Sequence, residues 1–383
     1  MANRKKIVRK GICLPLLLIT VILTCIGLVM VLSSSYNSII IAATKKAREA
    51  AFLSSFKTQG LVALIGIAVM LIVSRMDYHF FAKPRVLITG YLLSVILLLA
   101  VFAFPSKHDA HRWIELPAGL TLQPSEIAKF VGIFYTAFYT GQKKWWYRSF
   151  KDWLGLLLPV GGIAALILVE PDLSTTMCFL GTVIMIMFIS GMQWQFLAVG
   201  VGGIAALIPL MISVVGYQSR RFDAWLHAWD DPGDVGYQIV QSLYAIGDGG
   251  LLGVGLGNSK QKITHLPMSD TDYIFSIVCE EFGFVGAIIV VGLYVAFAVF
   301  GIKIAMEAPD GFGTYLAAGI TFMIVVQAFL NMAVATNVLP STGVTLPFIS
   351  KGASSLGVML TATGVLLSVS AFKPRLPEEN ASK

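Results

Sequence analysis

Residues 153–191 read WLGLLLPVGGIAALILVE-PDL-STTMCFLGTVIMIMFISG, and this stretch decides the fold. Two apolar runs, 153–170 and 174–191, are joined only by Glu170-Pro171-Asp172-Leu173. Each approaches the ~20 residues that a helix needs to cross the hydrocarbon core of a bilayer. A third run, 194–216, follows after the equally tight Gly191-Met192-Gln193. Outward from these lie the runs 12–34, 58–75, 86–105, 126–141, 273–303, 313–335 and 353–372. The run 126–141 is short and carries Glu126 and Lys129.

Composition points the same way. Of 383 residues, 56% are hydrophobic and 13% charged, where soluble domains carry about 25% charged residues. Mean hydropathy is +0.79. These values exclude a water-soluble enzyme, a disordered chain and a disulfide scaffold. The expected fold is all-α: a polytopic integral membrane protein of about ten transmembrane helices. It forms one membrane domain over 1–383, with a long extracellular loop, 217–272, before the eighth helix. Cys13, Cys25, Cys178 and Cys279 fall inside apolar runs and read as small buried hydrophobes. The first run is long enough to span and lacks a small-residue cleavage site, so it reads as the first helix rather than a removed signal.

The net charge is +7. In a membrane protein this reflects Lys and Arg gathered on cytoplasmic loops rather than a nucleic-acid partner. With both termini cytoplasmic, sixteen Lys and Arg fall on that side against eleven on the other. One segment opposes this orientation: Lys45, Lys46, Arg48 and Lys57 would lie outside, as an amphipathic surface stretch. Within the long loop, Phe222, Trp225, Leu226 and Trp229 follow helical spacing. A second short helix is expected around Gln238–Ile246. The run Gly247, Gly249, Gly250, Gly253, Gly255 and Gly257 allows tight turns and close backbone approach.

There is no Walker loop, no HExxH and no metal-type Cys/His cluster, so no metal site is expected from side chains alone. Chemistry at the outer face has no nucleotide fuel. A transferase there needs a donor activated beforehand, and a lipid-linked donor suits a membrane protein.

Ionisable residues at membrane depth are functional candidates because burying them is costly. Glu126 and Lys129, three apart, share a helix face. They either face a polar cavity or tie helices together as an ion pair. Arg112 offers a planar fork for diphosphate oxygens, and Trp113 a flat face for a sugar or an interfacial anchor. Asp172 stands at the mouth of a cavity or caps the next helix. Asp272, where the long loop meets a spanning helix, could act as a general base or as an N-cap. Glu280 and Glu281 lie about two turns deeper and point to different sides, so at most one shares the cavity of Asp272. The broken stretch Asn337–Gly352, at membrane depth, must line a cavity or be buried in protein. Its Lys351 could meet a phosphate or snorkel to the surface.

Taken together, several motifs resemble the SEDS family (shape, elongation, division and sporulation). They are Arg112-Trp113-Ile114, Gln123-Pro124-Ser125-Glu126 with Lys129, and Glu170-Pro171-Asp172. Gly236-Tyr237-Gln238 to Gln241-Ser242-Leu243 and Gly253-Val254-Gly255-Leu256-Gly257 follow. Thr271-Asp272-Tyr273-Ile274-Phe275 and Leu339-Pro340 to Ser355 complete the series, in family order over nearly the whole chain. Gly27–Ser35 and Leu256–Lys262 are similar to the FtsW and SpoVE branch. The pattern departs at Met268 (usually Glu), Asp270 (usually His) and Lys351 (usually Tyr).

The resemblance implies a peptidoglycan glycosyltransferase of the bacterial cytoplasmic membrane that polymerises lipid II onto a glycan held by undecaprenyl diphosphate. It implies Asp272 as the catalytic carboxylate. Arg112, Trp113, Glu126, Lys129, Asp172, Glu280 and Lys351, read from their own chemistry and placement, are the expected substrate-binding residues. Arg112, Lys129 or a divalent cation (Mg or Mn) carried by the diphosphate would offset leaving-group charge. A class B penicillin-binding protein and other division or cell-wall synthesis proteins would be partners. The rival expectations are a flippase for lipid-linked precursors and a non-catalytic scaffold.

Overall fold

The protein is described by a computed structural model over residues 7–9, 11–41, 45–104, 112–115, 121–142, 150–195, 198, 200–203, 219–234, 236–264, 266 and 269–374. Helices α1 (Leu14–Ile41), α2 (Lys45–Arg75), α3 (Pro84–Ala100), α4 (Pro124–Gln142), α5 (Phe150–Val169) and α6 (Leu173–Ile189) form the first half. The loop helices α7 (Ser219–Leu226), α8 (Tyr237–Asp248) and α9 (Gln261–Thr264) follow. Then come α10 (Ile274–Glu307), α11 (Gly311–Ala335) and α12 (Ala353–Ala371). Among the described residues, α1, α2, α3, α10, α11 and α12 are long and apolar enough to cross a membrane, and α5 and α6 are shorter apolar helices. The chain is an all-α polytopic membrane protein. The expected span 194–216 lies largely outside the described residues.

α4 starts at Pro124, whose missing N–H costs nothing in a first turn. Its buried face runs through Glu126, Lys129, Ile133, Thr136, Ala137 and Thr140, at helical spacing. That face packs against α3, α6 and α11, which explains a helix of modest hydropathy inside the bundle. Two small sheets were not anticipated. Ile7–Arg9 (β1) pairs antiparallel with Phe372–Pro374 (β4), so both ends of the bundle's chain meet at one face. Ile114–Glu115 (β2) pairs with Thr121–Leu122 (β3).

The 273–303 run, expected as one continuous helix, is broken at Gly283, whose φ is +66°. The Gly-rich turn after α8 docks at the break. Val254 N–H donates to Glu280 O (2.9 Å) and Gly255 N–H to Glu281 O (3.1 Å). In return, Phe284 N–H donates to Gly250 O (2.9 Å) and Val285 N–H to Leu251 O (3.2 Å). A kinked helix frees backbone groups that must find partners when buried, and the loop supplies them. The backbones come so close that a Cβ on Gly253 would overlap the Glu281 carbonyl.

The stretch after α11 is irregular and buried: Leu346, Phe348 and Ile349 are almost inaccessible. Gly27 of α1 has no side chain where the Phe348 carbonyl lies. Side chains of α11 satisfy the stretch: Gln327 Nε2 donates to Thr345 O (3.1 Å) and Asn331 Nδ2 to Val344 O (2.7 Å). Irregular backbone at membrane depth survives only with such partners.

Candidate functional site

Asp272 sits on the last loop residues before α10. Three neighbours hold the backbone of residues 270–272. Asn331 Nδ2 donates to Asp272 O (2.8 Å), Ser350 Oγ to Thr271 O (2.7 Å), and Lys351 N–H to Asp270 O (2.9 Å). The carboxylate itself accepts no hydrogen bond among the described residues, so it caps no helix; α10 begins after Tyr273 without a side-chain cap. It opens instead onto a cleft of about 420 Å³ shared with Arg221, Asp234, Gln238, Ser341 and Gly343.

Desolvation pushes the Asp272 carboxyl up to about 6, aided by the negative charges of Asp270 and Asp172 and opposed by Arg221 and Arg112. Such a group is ionised at neutral pH yet more basic than an ordinary carboxylate, which suits a general base.

α7 closes the cleft from the loop side. Buried Ala224 and Ala228 pack against Ile239 and Val240 of α8. Trp225 Nε1 donates to Asn337 O (3.1 Å), and Arg221 Nη1 to Ser341 O (3.3 Å). The amphipathic spacing of Phe222, Trp225 and Leu226 is legible in the sequence. The convergence of Arg221, Asp234, Gln238 and Ser341 on Asp272 is not, because they come from separate segments with no common period.

None of the other candidate residues is among the described residues that line this cleft. Arg112 is buried; its Nε donates to Glu170 O (3.0 Å) and its Nη2 to Pro171 O. Its fork therefore holds the turn between α5 and α6. Trp113 is half-buried beside it. Asp172 caps α6: Oδ1 accepts from Thr175 N–H (3.2 Å), and Oδ2 from Gln123 Nε2 (3.3 Å). Glu170, fully buried, is pushed up to about 9 by desolvation and then by Asp172, against the pull of Arg112.

Glu126 and Lys129 form a buried ion pair (2.7 Å), and Lys129 Nζ also donates to Gln327 Oε1 (2.8 Å). Glu280 points away from the cleft. It accepts from Ser259 Oγ, from Lys260 N–H (2.7 Å) and from Gln261 N–H (3.3 Å), holding the start of α9. Glu281 pairs with Lys262 and accepts from Ser33 Oγ (2.6 Å). Lys351 pairs with Asp270 at 2.8 Å, so two departures from the family pattern meet each other. Met268 lies outside the described residues.

Among the described residues no cluster of three or more His, Cys, Asp or Glu side chains is placed to hold a metal. Among the described residues, a divalent ion carried by a diphosphate would meet Asp234 and Asp272 as carboxylates of the cleft. That donor set does not build a metal site of the protein's own.

The family model for FtsW, RodA and SpoVE, described as cell cycle protein, matches residues 14–375. A probable peptidoglycan glycosyltransferase FtsW from Geobacter metallireducens is 38% identical, over 96% of both chains. The stage V sporulation protein E of Bacillus subtilis is 38% identical, over 94% of this chain and 97% of its own. Among solved structures, a chain from work on a peptidoglycan synthase complex that coordinates polymerization and crosslinking aligns with TM-score 0.75 at 23% identity. That alignment covers 94% of this chain and 97% of the other. The rod shape determining protein RodA of Thermus thermophilus aligns with TM-score 0.66, at 23% identity over 94% and 96%. The last two likenesses speak to the fold.

Proposed function

The chain belongs to the FtsW/RodA/SpoVE family, and from that premise we propose that it is a peptidoglycan glycosyltransferase. It extends glycan strands from lipid II at the outer face of the bacterial cytoplasmic membrane, with both termini cytoplasmic. The observation that carries this reading is the Asp272 carboxylate: fixed by its backbone, free of side-chain hydrogen bonds, and facing a cleft between the loop and the bundle.

The donor is the strand on undecaprenyl diphosphate, and the acceptor is the 4-hydroxyl of the next lipid II. The hydroxyl oxygen attacks the anomeric carbon, and its proton passes to Asp272. The bond from the anomeric carbon to the diphosphate breaks, and the electron pair leaves with the diphosphate. Positioned proton transfer of this kind contributes about 10²–10⁴-fold. Trp113, Glu126, Lys129 and Asp172 are the proposed contacts of the bound substrate beyond the cleft that Asp272 lines. Lys351 and Glu280 act at one remove, Lys351 through Asp270 and Glu280 through the start of α9. A class B penicillin-binding protein and other cell-wall synthesis proteins are the proposed partners, supported by the likeness to a chain of a synthase complex.

The test is purified protein given labelled lipid II. Wild type should make glycan strands, and Asp272→Asn should be slower by about 10²–10⁴-fold. The variant's thermal stability at neutral pH should be unchanged or higher, because an ionised carboxylate is costly to desolvate. Translocation of lipid II without strands would point to a flippase. Near-normal polymerisation by Asp272→Asn would remove the base from Asp272.

A further inference from the structure

A cavity of about 360 Å³, apart from the cleft of Asp272, lies at the end of the bundle where residues 7–9 pair with 372–374. Its walls come from the start of α1, the last turns of α10 and the end of α12. Phe300, Lys303, Ile304 and Glu307 of α10 line it, at the i, i+3, i+4, i+7 spacing of one helix face. Lys373 of β4 reaches it from the other end of the chain. Cys13 N–H donates to Ser370 Oγ (2.9 Å), which fixes α1 against α12 there. The volume falls within the ~300–1,000 Å³ of small-ligand sites. None of the residues assigned to the glycosyltransferase reaction lines it.

Its depth follows from the lipid-facing surface. Exposed apolar side chains on α1 begin at Leu14 and recur at Leu18 and Ile22. On α10 they run through Val295, Val299 and Ile302 to Met306. The cavity therefore sits where hydrocarbon ends and headgroups begin. Its charge is basic. Lys373 Nζ lies 2.5 Å from Glu307 Oε2, and Lys303 Nζ lies 4.0 Å from Glu307 Oε1. Two ammonium groups thus share one carboxylate, which leaves one positive charge unbalanced among the described residues that line the cavity. At 4.0 Å, Lys303 makes an ion pair without a hydrogen bond. Lysines that only snorkel carry their heads out into water, whereas these two converge on one cavity. Arg9, 5.9 Å over the ring of Phe372, adds positive charge beside it.

We propose that this cavity binds the phosphate of an anionic membrane phospholipid, with Lys303 and Lys373 as its cations and the lipid chains against the apolar surface of α1 and α10. A phosphodiester carries one negative charge, which matches the one positive charge left over by Glu307. Basic pockets between spanning helices at headgroup depth select anionic lipids for this reason. A zwitterionic headgroup brings its own cation and gains less. The bound lipid joins α1, α10 and α12 at this end and stabilises the folded bundle by mass action. The site stands apart from the glycosyltransferase reading, because its occupancy is measured without polymerisation.

The test uses the full chain, delipidated in detergent, with phosphatidylglycerol and phosphatidylcholine of the same chains as probes. Native mass spectrometry reads the bound lipid, and wild type should bind phosphatidylglycerol more tightly. Lys303→Gln and Lys373→Gln should each weaken that binding by roughly fivefold, and together by roughly 30-fold. Binding of phosphatidylcholine should stay the same. Lys83→Gln removes a cation that does not line the cavity and should change neither. Glu307→Gln should bind phosphatidylglycerol more tightly than wild type, because it removes the acid that faces both lysines. A purely structural ion pair predicts no such gain. A wild-type footprint covers the case of a variant that does not fold. Acetylation of Lys303 and Lys373 should be suppressed by phosphatidylglycerol, and not by phosphatidylcholine or soluble glycerol phosphate, with Lys83 as the reference. Equal affinity for both lipids, unchanged phosphatidylglycerol binding in the double variant, or equal protection by glycerol phosphate would overturn the assignment.

Discussion

Two groups of carboxylates lie eight residues apart on one strand of chain and live in opposite surroundings. Asp272 is partly exposed, accepts no side-chain hydrogen bond among the described residues, and opens onto a cleft. Glu280 and Glu281 are sealed and saturated with donors from Ser259, Lys260, Gln261, Lys262 and Ser33. The difference is a division of labour. A structural carboxylate is neutralised by everything around it. A reactive one has its backbone fixed and its side chain left unsatisfied, a local cost that the rest of the fold must offset. The kink at Gly283 belongs with the structural pair, because the two glutamates before it clamp the loop that ends at Asp272.

The largest effect should come from breaking the sealed side. Lys262→Met leaves Glu281 buried without its cation, and losing one partner of a buried pair costs about 3–5 kcal/mol. Denaturation in detergent should show that loss. The double variant Lys262→Met/Glu281→Leu should recover much of it, since a packed apolar pair is often as stable as the ions it replaces. A single variant as stable as wild type would mean that the pair is not a structural clamp.

Next comes Gly253→Ala. The residue is at φ +81°, and a Cβ would overlap the Glu281 carbonyl. Backbone strain of that kind costs about 1–3 kcal/mol. Because the loop carries Asp272, polymerisation should fall along with the melting temperature. Asp272→Asn should lower activity alone. If Gly253→Ala lost activity at full stability, the loop would be acting on the site directly rather than through its docking.

The open side is tested by pH. The Asp272 carboxyl titrates at about 6, and only its ionised form accepts a proton. The rate should therefore rise with pH through about 6, and each unit below that should cost about tenfold. Stability runs the other way. A carboxyl raised by folding disfavours the folded state as it ionises, so this group's contribution to stability is lost as pH rises toward 6. A flat rate between pH 5 and 8 would contradict a base at this position.

How much of this could be read beforehand follows the physics of each part. The spans were legible because burying backbone in lipid forces long apolar runs, and α4 showed only as a short run carrying Glu126 and Lys129, its buried face being seen in the fold. The kink at Gly283 was not, since its cause is a loop some thirty residues earlier. Asp272 stood out through its place between loop and helix. Arg112 and Glu280 were read as substrate contacts from their chemistry, and their hydrogen bonds go to the turn at Pro171 and to the start of α9. Arg221 and Ser341 carry no local signal; only the fold brings positions 221, 272 and 341 to one cleft.

The smallest expected effect lies between the two regions, at Asp270 and Lys351. Their ion pair is 29% and 42% exposed at the side chains, so it contributes at most about 1 kcal/mol to stability. Its consequence is electrostatic. Asp270 is a like charge that raises the Asp272 carboxyl, and Lys351 offsets it. Asp270→Asn should move the acid limb of the rate profile down by a fraction of a pH unit, making the variant faster than wild type at pH 5.5. Lys351→Met should leave Asp270 uncompensated and move the limb up, making that variant slower. Removing both should nearly restore the wild-type limb, because a neutral pair replaces a neutral pair. Shifts of the same sign in both single variants would mean that the pair acts through the backbone of residues 270–272 and not through charge.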